Sequence, residues 1–145
     1  MKIALISSVG GHLTELLKLA DAVPRAERFW VVNDAAPGLP VGERAYRISH
    51  AERDAKVAWN LFECAAIFAR EKPDLMLSTG AGPAVPAAVV ARAAGIPVIY
   101  VEPSSAVTEL TMTGRLMRRL ANRFYVQWQS LLASAPWASY DGGLL

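Results

Sequence analysis

Charge and cysteine are both sparse in this chain. Its 15 basic and 13 acidic residues amount to 19% of the sequence and leave a net charge of only +2. Nucleic-acid binding needs a dense basic surface, so this balance speaks against it. Cys64 is the sole cysteine. That excludes an internal disulfide and fits a reducing compartment. Its apolar helical context reads as core rather than as nucleophile. There are two histidines, His12 and His50, and neither joins a Cys, Asp or Glu grouping with metal-ligand spacing. Neither G-x-G-x-x-G nor the lysine of a phosphate-binding P-loop is present, which argues against a dinucleotide or ATP fold site. A nucleophile elbow and paired carboxylates are lacking too. Long apolar runs are missing: the longest uncharged stretch, 75–91, contains Gly80, Gly82, Pro83 and Pro86. It also falls short of the ~20 residues that a membrane span needs. Met1-Lys2 leads into only a few apolar residues, so neither a secretory leader nor a membrane-crossing helix is expected.

Apolar residues, by contrast, are abundant: 53% of 145 residues, with a mean hydropathy of +0.25. A chain of this length makes one domain and buries roughly two-thirds of its unfolded surface. Some of that apolar content is therefore expected outside, where patches mark a partner or a membrane.

Short apolar runs alternate with helical patterns. KIALIS, RFWVV (28–32), RAYRIS (44–49), DLMLS (74–78), PVIYVE (97–102) and RFYVQ (123–127) read as strands. Helices are expected over 12–22, 52–71, 82–95 and 109–121. In the second, Val57, Leu61, Ala65 and Phe68 are expected to share the inward face. Pro83 suits the first turn of the third and Gly95 its end. This alternation predicts an α/β domain, a Rossmann-like parallel sheet with helices on both faces, spanning 1–145 without a linker. Ligands of such sheets bind at the carboxyl ends of the strands. Three loops converge there: 7–12, 78–83 and 102–108.

In the first loop, Ser8, Gly10 and Gly11 precede His12 at a helix start. Glycines bring backbone N–H groups close to a ligand, the helix N-terminus favours anions, and a histidine there can serve as a base. A tight strand-to-helix turn with a partly exposed histidine fits the same spacing equally. Ser78, Thr79, Gly80 and Gly82 make a second anion-accepting loop, or simply close strand-to-helix packing. Glu102 ends an apolar strand on the same edge, where a carboxylate orients a hydroxyl, acts as a base, or is merely solvated. Finally, Arg115, Arg118, Arg119 and Arg123 lie among Leu116, Met117, Leu120 and Phe124. That is either a basic segment suited to anionic lipid or a surface helix with its apolar side in the core.

SSVGGHLTELLKL, the stretch KPDLMLSTGAGPAVPAAVVARAAGIPVIYVEPSSAV, LTMTGRLMRRLANRFYVQWQSL and the closing YDGGLL follow one another in this order. Together they resemble bacterial exopolysaccharide and capsule glycosyltransferase subunits of the PssD type. They are also similar to the membrane-recruiting subunit of the eukaryotic two-part chitobiosyl transferase, and more distantly to the N-terminal half of the MurG type of peptidoglycan GlcNAc transferase. The resemblance covers nearly the whole chain.

It implies the acceptor-side, N-terminal half of a GT-B glycosyltransferase. A separate small subunit would carry most of the UDP-sugar site, with no cofactor and no metal, and the acceptor would be a polyprenyl-diphosphate-linked sugar. By that likeness His12 is the candidate base, with Glu102 and the 78–83 loop lining the same cleft. Arg115, Arg118 and Arg119 face the inner side of the cell membrane in a cytoplasmic, peripheral protein. The tail 128–145, with Gln127, Trp128 and Tyr140, helps hold the partner. Because the given chain begins at its first strand, peripheral rather than anchored attachment is expected. Two other readings stay open: a non-catalytic recruiting subunit, and a stand-alone nucleotide-binding domain, which the missing glycine fingerprint disfavours.

Overall fold

A computed structural model describes residues 1–33, 38–50 and 55–144. The Gly- and Pro-rich stretch 33–43, whose composition predicts a loop, and the helix expected over 52–71 lie partly outside those residues. In chain order the elements are β1 (Ile3–Ser7), α1 (Gly11–Ala20), β2 (Arg28–Asn33), β3 (Ala45–Ile48), α2 (Lys56–Glu71), β4 (Leu75–Gly80), α3 (Ala84–Ala93), β5 (Val98–Val101), α4 (Met112–Met117), β6 (Arg123–Val126) and β7 (Ser139–Tyr140). They build one seven-stranded sheet in the order β3-β2-β1-β4-β5-β6-β7. Every pairing is parallel.

The expected parallel α/β sheet is thus observed, but the helices divide unevenly between its faces. Alternation along each strand sends one set of side chains each way. Ala4 and Ile6 join Phe29, Val31, Met76, Val98 and Tyr100 under α2, α3 and α4. Ile3 and Leu5 join Trp30 and Val32 under α1 alone. On α1's side, the β4–β6 strip carrying Leu77, Ile99, Val101 and Tyr125 borders a groove of ≈ 290 Å³ shared with Leu19 of α1 and the tail segment 141–144.

Three elements depart from expectation. The buried face of α2 is Asn60, Cys64, Phe68 and Glu71, while Val57 and Ala65 are exposed. Glu71 sets this rotation: it is pulled inward by Lys2, Arg44 and Tyr46, and Phe68 packs edge-on against Phe29. The expected 109–121 helix is only Met112–Met117, capped by Thr111, whose hydroxyl accepts from the Gly114 N–H at 2.9 Å. The segment after Trp128 is folded onto the sheet: Leu131 and Ala135 are buried, and Ser139–Tyr140 pairs with β6 as the edge strand.

Candidate functional site

In this strand order the chain reverses direction across the sheet between β1 and β4. The loop after β1 leads to α1 on one face, and the loop after β4 leads to α3 on the other. A crevice at such a switch point is where open α/β sheets bind ligands. Both glycine loops flagged in the sequence therefore meet side by side.

The first begins with buried Ser7 and Ser8, whose hydroxyls donate to the Ser8 and Val9 carbonyls. Gly10 then takes φ +77°, which L side chains rarely adopt, although nothing lies within 4 Å of where a Cβ would stand. Conformation rather than space requires glycine there. Gly10 is the N-cap of α1, and no side chain caps the helix. Its first-turn N–H groups are left for solvent or a ligand. Gly10 and Gly11 are exposed, and His12 is half-buried.

The register between β1 and β4 slips at this end: Ile6 pairs with Ser78, but Ser7 pairs with Gly80. Thr79 is the extra residue, a bulge of the kind that re-aims groups beside active sites. Its carbonyl oxygen stands 2.9 Å from His12 Nδ1, and its hydroxyl donates to the His12 carbonyl at 2.6 Å. A carbonyl oxygen only accepts, so Nδ1 carries the proton. In the neutral ring the lone pair then lies on Nε2, which has no hydrogen-bond partner among the described residues. Gly80, at φ +111°, fits because its missing side chain would meet Tyr100 Oη at 3.0 Å and His12 Nδ1 at 3.4 Å. Ala81 follows at φ +66°, a left-handed conformation that costs a non-glycine residue free energy.

Ser78 and Thr79 are fully buried. Ser78 Oγ accepts from the Gly80 N–H at 3.1 Å. Their hydroxyls shape the loop and do not face outward; of the second loop's expected residues, Gly82 is exposed.

Glu102 does not line the cleft as expected. It is 0% exposed. Its carboxylate accepts from Tyr100 Oη at 2.8 Å and from the Thr111 N–H. It also fills the space beside Gly114, where a Cβ would collide with it. Burial first, and the Glu102 charge second, raise the Tyr100 phenol well above its ordinary range, so that phenol stays protonated and donates.

Glu15, which the sequence reading passed over, is buried one turn along α1 from His12. It accepts from the Ser104 N–H at 3.0 Å, from the Ser104 hydroxyl and from Gln127 Nε2 at 2.7 Å. Gln127 also donates to the Glu102 carbonyl at 3.1 Å and accepts from the Leu144 N–H at 2.9 Å. The sequence signal was its i, i+3 spacing from His12, which places both on one side of α1. Trp128 is exposed, with its indole N–H on the Ser104 carbonyl at 2.6 Å. Tyr140 is exposed on β7. Arg115, Arg118 and Arg119 are all exposed. Arg115 pairs with Glu109 at 3.3 Å, and Arg118 stacks 4.8 Å from the Trp137 ring centre.

The fold is shared with one half of larger solved proteins. The solved structure of MurG from Acinetobacter baumannii superposes with a TM-score of 0.74 at 18% identity, over 90% of this chain and 43% of that one. A UDP-GlcNAc 2-epimerase from Methanocaldococcus jannaschii, solved with UDP-GlcNAc and UDP, superposes at 0.73 with 17% identity, over 93% and 44%. The chain thus spans less than half of either, which fits a Rossmann-like half of a GT-B molecule. The family described as "Oligosaccharide biosynthesis protein Alg14 like" matches residues 43–144, and the chain belongs to it. Its curated relatives include the UDP-N-acetylglucosamine transferase subunit ALG14 of Homo sapiens, 26% identical over all of this chain and 83% of that protein. The Rattus norvegicus protein of the same name is 24% identical over 97% and 82%.

Proposed function

We propose that this chain is the acceptor-side subunit of a two-component glycosyltransferase. It acts on a polyprenyl-diphosphate-linked sugar, with a UDP-sugar held mainly by a second subunit. The role of transferase subunit follows the names of its relatives. The assignment to bacterial exopolysaccharide synthesis rests on the motif resemblance.

One observation carries the reading: the proton-fixed His12 at the switch point, beside the uncapped start of α1. In this mechanism the first-turn N–H groups of α1 receive the acceptor diphosphate, and Nε2 of His12 takes the proton of the acceptor hydroxyl. The hydroxyl oxygen bonds to the anomeric carbon, the bond from that carbon to the UDP oxygen breaks, and UDP departs with the electron pair. Glu102 and Tyr100 position the loop rather than touch substrate. The half-buried strip of Leu77, Ile99 and Tyr125 beside Gln127 and the tail supports docking of the second subunit there. Arg115, Arg118 and Arg119 support peripheral attachment to an anionic membrane face.

In the assembled pair, His12→Ala is expected to lower kcat by about 10²–10⁴-fold with little change in acceptor affinity. Full transfer by His12→Ala would remove the base assignment. A second reading, a purely recruiting subunit, is favoured by the chain's spanning 43% of the MurG chain it matches. It would prevail if the partner alone transferred sugar to a soluble acceptor analogue at the full rate.

A further inference from the structure

The sequence carries four tryptophans, and three have their rings engaged. Trp30 is fully buried in the cluster beneath α1. Trp137 meets both the Arg118 guanidinium and the Phe124 ring, each 4.8 Å from its own ring centre. Trp59 packs on Phe62, with ring centres 6.4 Å apart. Trp128 differs. It is 45% exposed, and among the described residues no aromatic or cationic side chain stacks on its ring. Its one polar atom is already satisfied, since the indole N–H donates to the Ser104 carbonyl at 2.6 Å. What Trp128 offers outward is therefore hydrocarbon ring surface.

That ring is fixed from two sides. Ser104, which takes the indole N–H, is itself held by Glu15 through its own N–H at 3.0 Å and its hydroxyl. Gln127, the residue before Trp128, is buried and donates to Glu15 at 2.7 Å and to the Glu102 carbonyl at 3.1 Å. An aromatic immobilised before contact loses little freedom on binding. Trp128 stands at the carboxyl edge of the sheet, just past the end of β6 at Val126. β6 lies two strands from β4, about 10 Å at the usual strand spacing. The ring is thus within the span of a small glycan from the Thr79 bulge that holds His12. The groove beside the tail, the surface proposed for the second subunit, is lined by Gln127 but not by Trp128.

We propose that Trp128 is a stacking platform for a pyranose ring of the acceptor. A pyranose has a face of C–H groups and a rim of hydroxyls. An indole face suits the first, and hydrogen-bonding groups at its margin suit the second. Ser105, next to the anchoring Ser104, is exposed, and its hydroxyl is unengaged among the described residues. It supplies one such group. A ring held at Trp128 sets which acceptor hydroxyl faces Nε2 of His12. The inference rests on the acceptor-side reading and adds to it the residue that recognises the sugar. It reassigns Trp128, expected from the resemblance to hold the partner, to the substrate.

The test is calorimetric binding by the full chain of short-chain prenyl diphosphates carrying glucose, galactose or N-acetylglucosamine, against the same prenyl diphosphate without sugar. Wild type is expected to bind at least one sugar-bearing compound more tightly than the bare one. Trp128→Ala should lose about tenfold or more of that sugar-dependent affinity and leave bare prenyl diphosphate unchanged. Trp128→Phe, which keeps a ring but not the indole N–H, should fall between. Because the side chain is exposed, Tm should hold for both variants. Sugar-dependent affinity that survives Trp128→Ala would overturn the inference, as would equal losses for sugar-bearing and bare compounds. In the assembled pair, a raised KM for the UDP-sugar alone would place the donor on this ring and overturn it. Weakened capture of the second subunit with acceptor binding intact would make Trp128 a protein anchor and overturn it too. Equal wild-type affinity for sugar-bearing and bare compounds would remove this platform but spare the acceptor-side reading. Failure of wild type to bind any of them would remove both.

Discussion

The Nδ1 proton of His12 is held by a carbonyl that reaches it because β4 bulges at Thr79. Gly80 then passes close enough to the His12 and Tyr100 side chains that a Cβ would press on both. The chemistry proposed for this edge therefore depends on backbone placement as much as on the imidazole. The same dependence reaches Gly114, whose missing side chain makes room for the buried Glu102 carboxylate. Gly114→Ala is expected to destabilise the fold by about 1–3 kcal/mol, because neither the carboxylate nor the short helix can give way. Thermal unfolding measures the loss directly. A Tm unchanged from wild type would show that Glu102 has another place to go. Cys64 contributes only packing: burial, with Glu63 nearby, pushes its thiol up to about 12.

Among the elements, the two ends of the sheet are built for different purposes. The carboxyl ends carry the glycine loops. At the opposite end, Glu43 and Glu71 join strands to helices. Arg28 on β2 bonds Glu43 with Nε at 3.2 Å and with Nη2, and donates to the Val23 carbonyl beyond α1 at 2.9 Å. Trp30 adds its indole N–H to Glu43 at 3.0 Å. The Arg28 hydrogen bonds hold the Glu43 carboxyl below the usual carboxylate range. For Glu71, burial pushes upward, but Tyr46 and Lys2 donors and the Arg44 and Lys2 charges outweigh it, and the result is also lowered. A carboxylate whose folded pKa is depressed adds stability that is complete above its unfolded value, near 4.5. That stability drains away as pH falls through the folded values. Tm should therefore drop steeply between pH ~5 and ~3. Glu43→Gln combined with Glu71→Gln should be less stable at neutral pH and shallower across that window. Parallel slopes for variant and wild type would place the acid sensitivity elsewhere.

The whole molecule has one well-covered sheet face and one half-covered face. α1 shields β1 and β2, while β4 to β6 present Leu77, Ile99 and Tyr125 half-buried beside the tail. An apolar strip next to a buried network of Glu15, Gln127 and Leu144 is rigid and already desolvated in part, properties that favour docking. Ile99→Asp is expected to weaken capture of the second subunit about tenfold or more while shifting Tm by no more than about 5 °C. Pull-down and calorimetry together decide this. Intact capture would move the subunit interface off this strip.

The sequence by itself determined the α/β alternation, the single-domain length and the position of both glycine loops at strand ends, because these follow from short-range periodicity and from the turn chemistry of Gly10 and Gly80. It also marked His12. What only the tertiary structure decided was how groups far apart in the chain combine. Periodicity does not encode which way α2 turns, since Glu71 is drawn inward by Lys2, Arg44 and Tyr46. That rotation exposes Trp59 and Phe62. A strand-end glutamate looks the same in sequence whether solvated or buried, and Glu102 is buried because Tyr100, Thr111 and Gly114 close around it. Gln127, read as a docking residue, reaches inward to Glu15 across 112 positions of chain. Contacts of that range arise from packing, and no local pattern announces them.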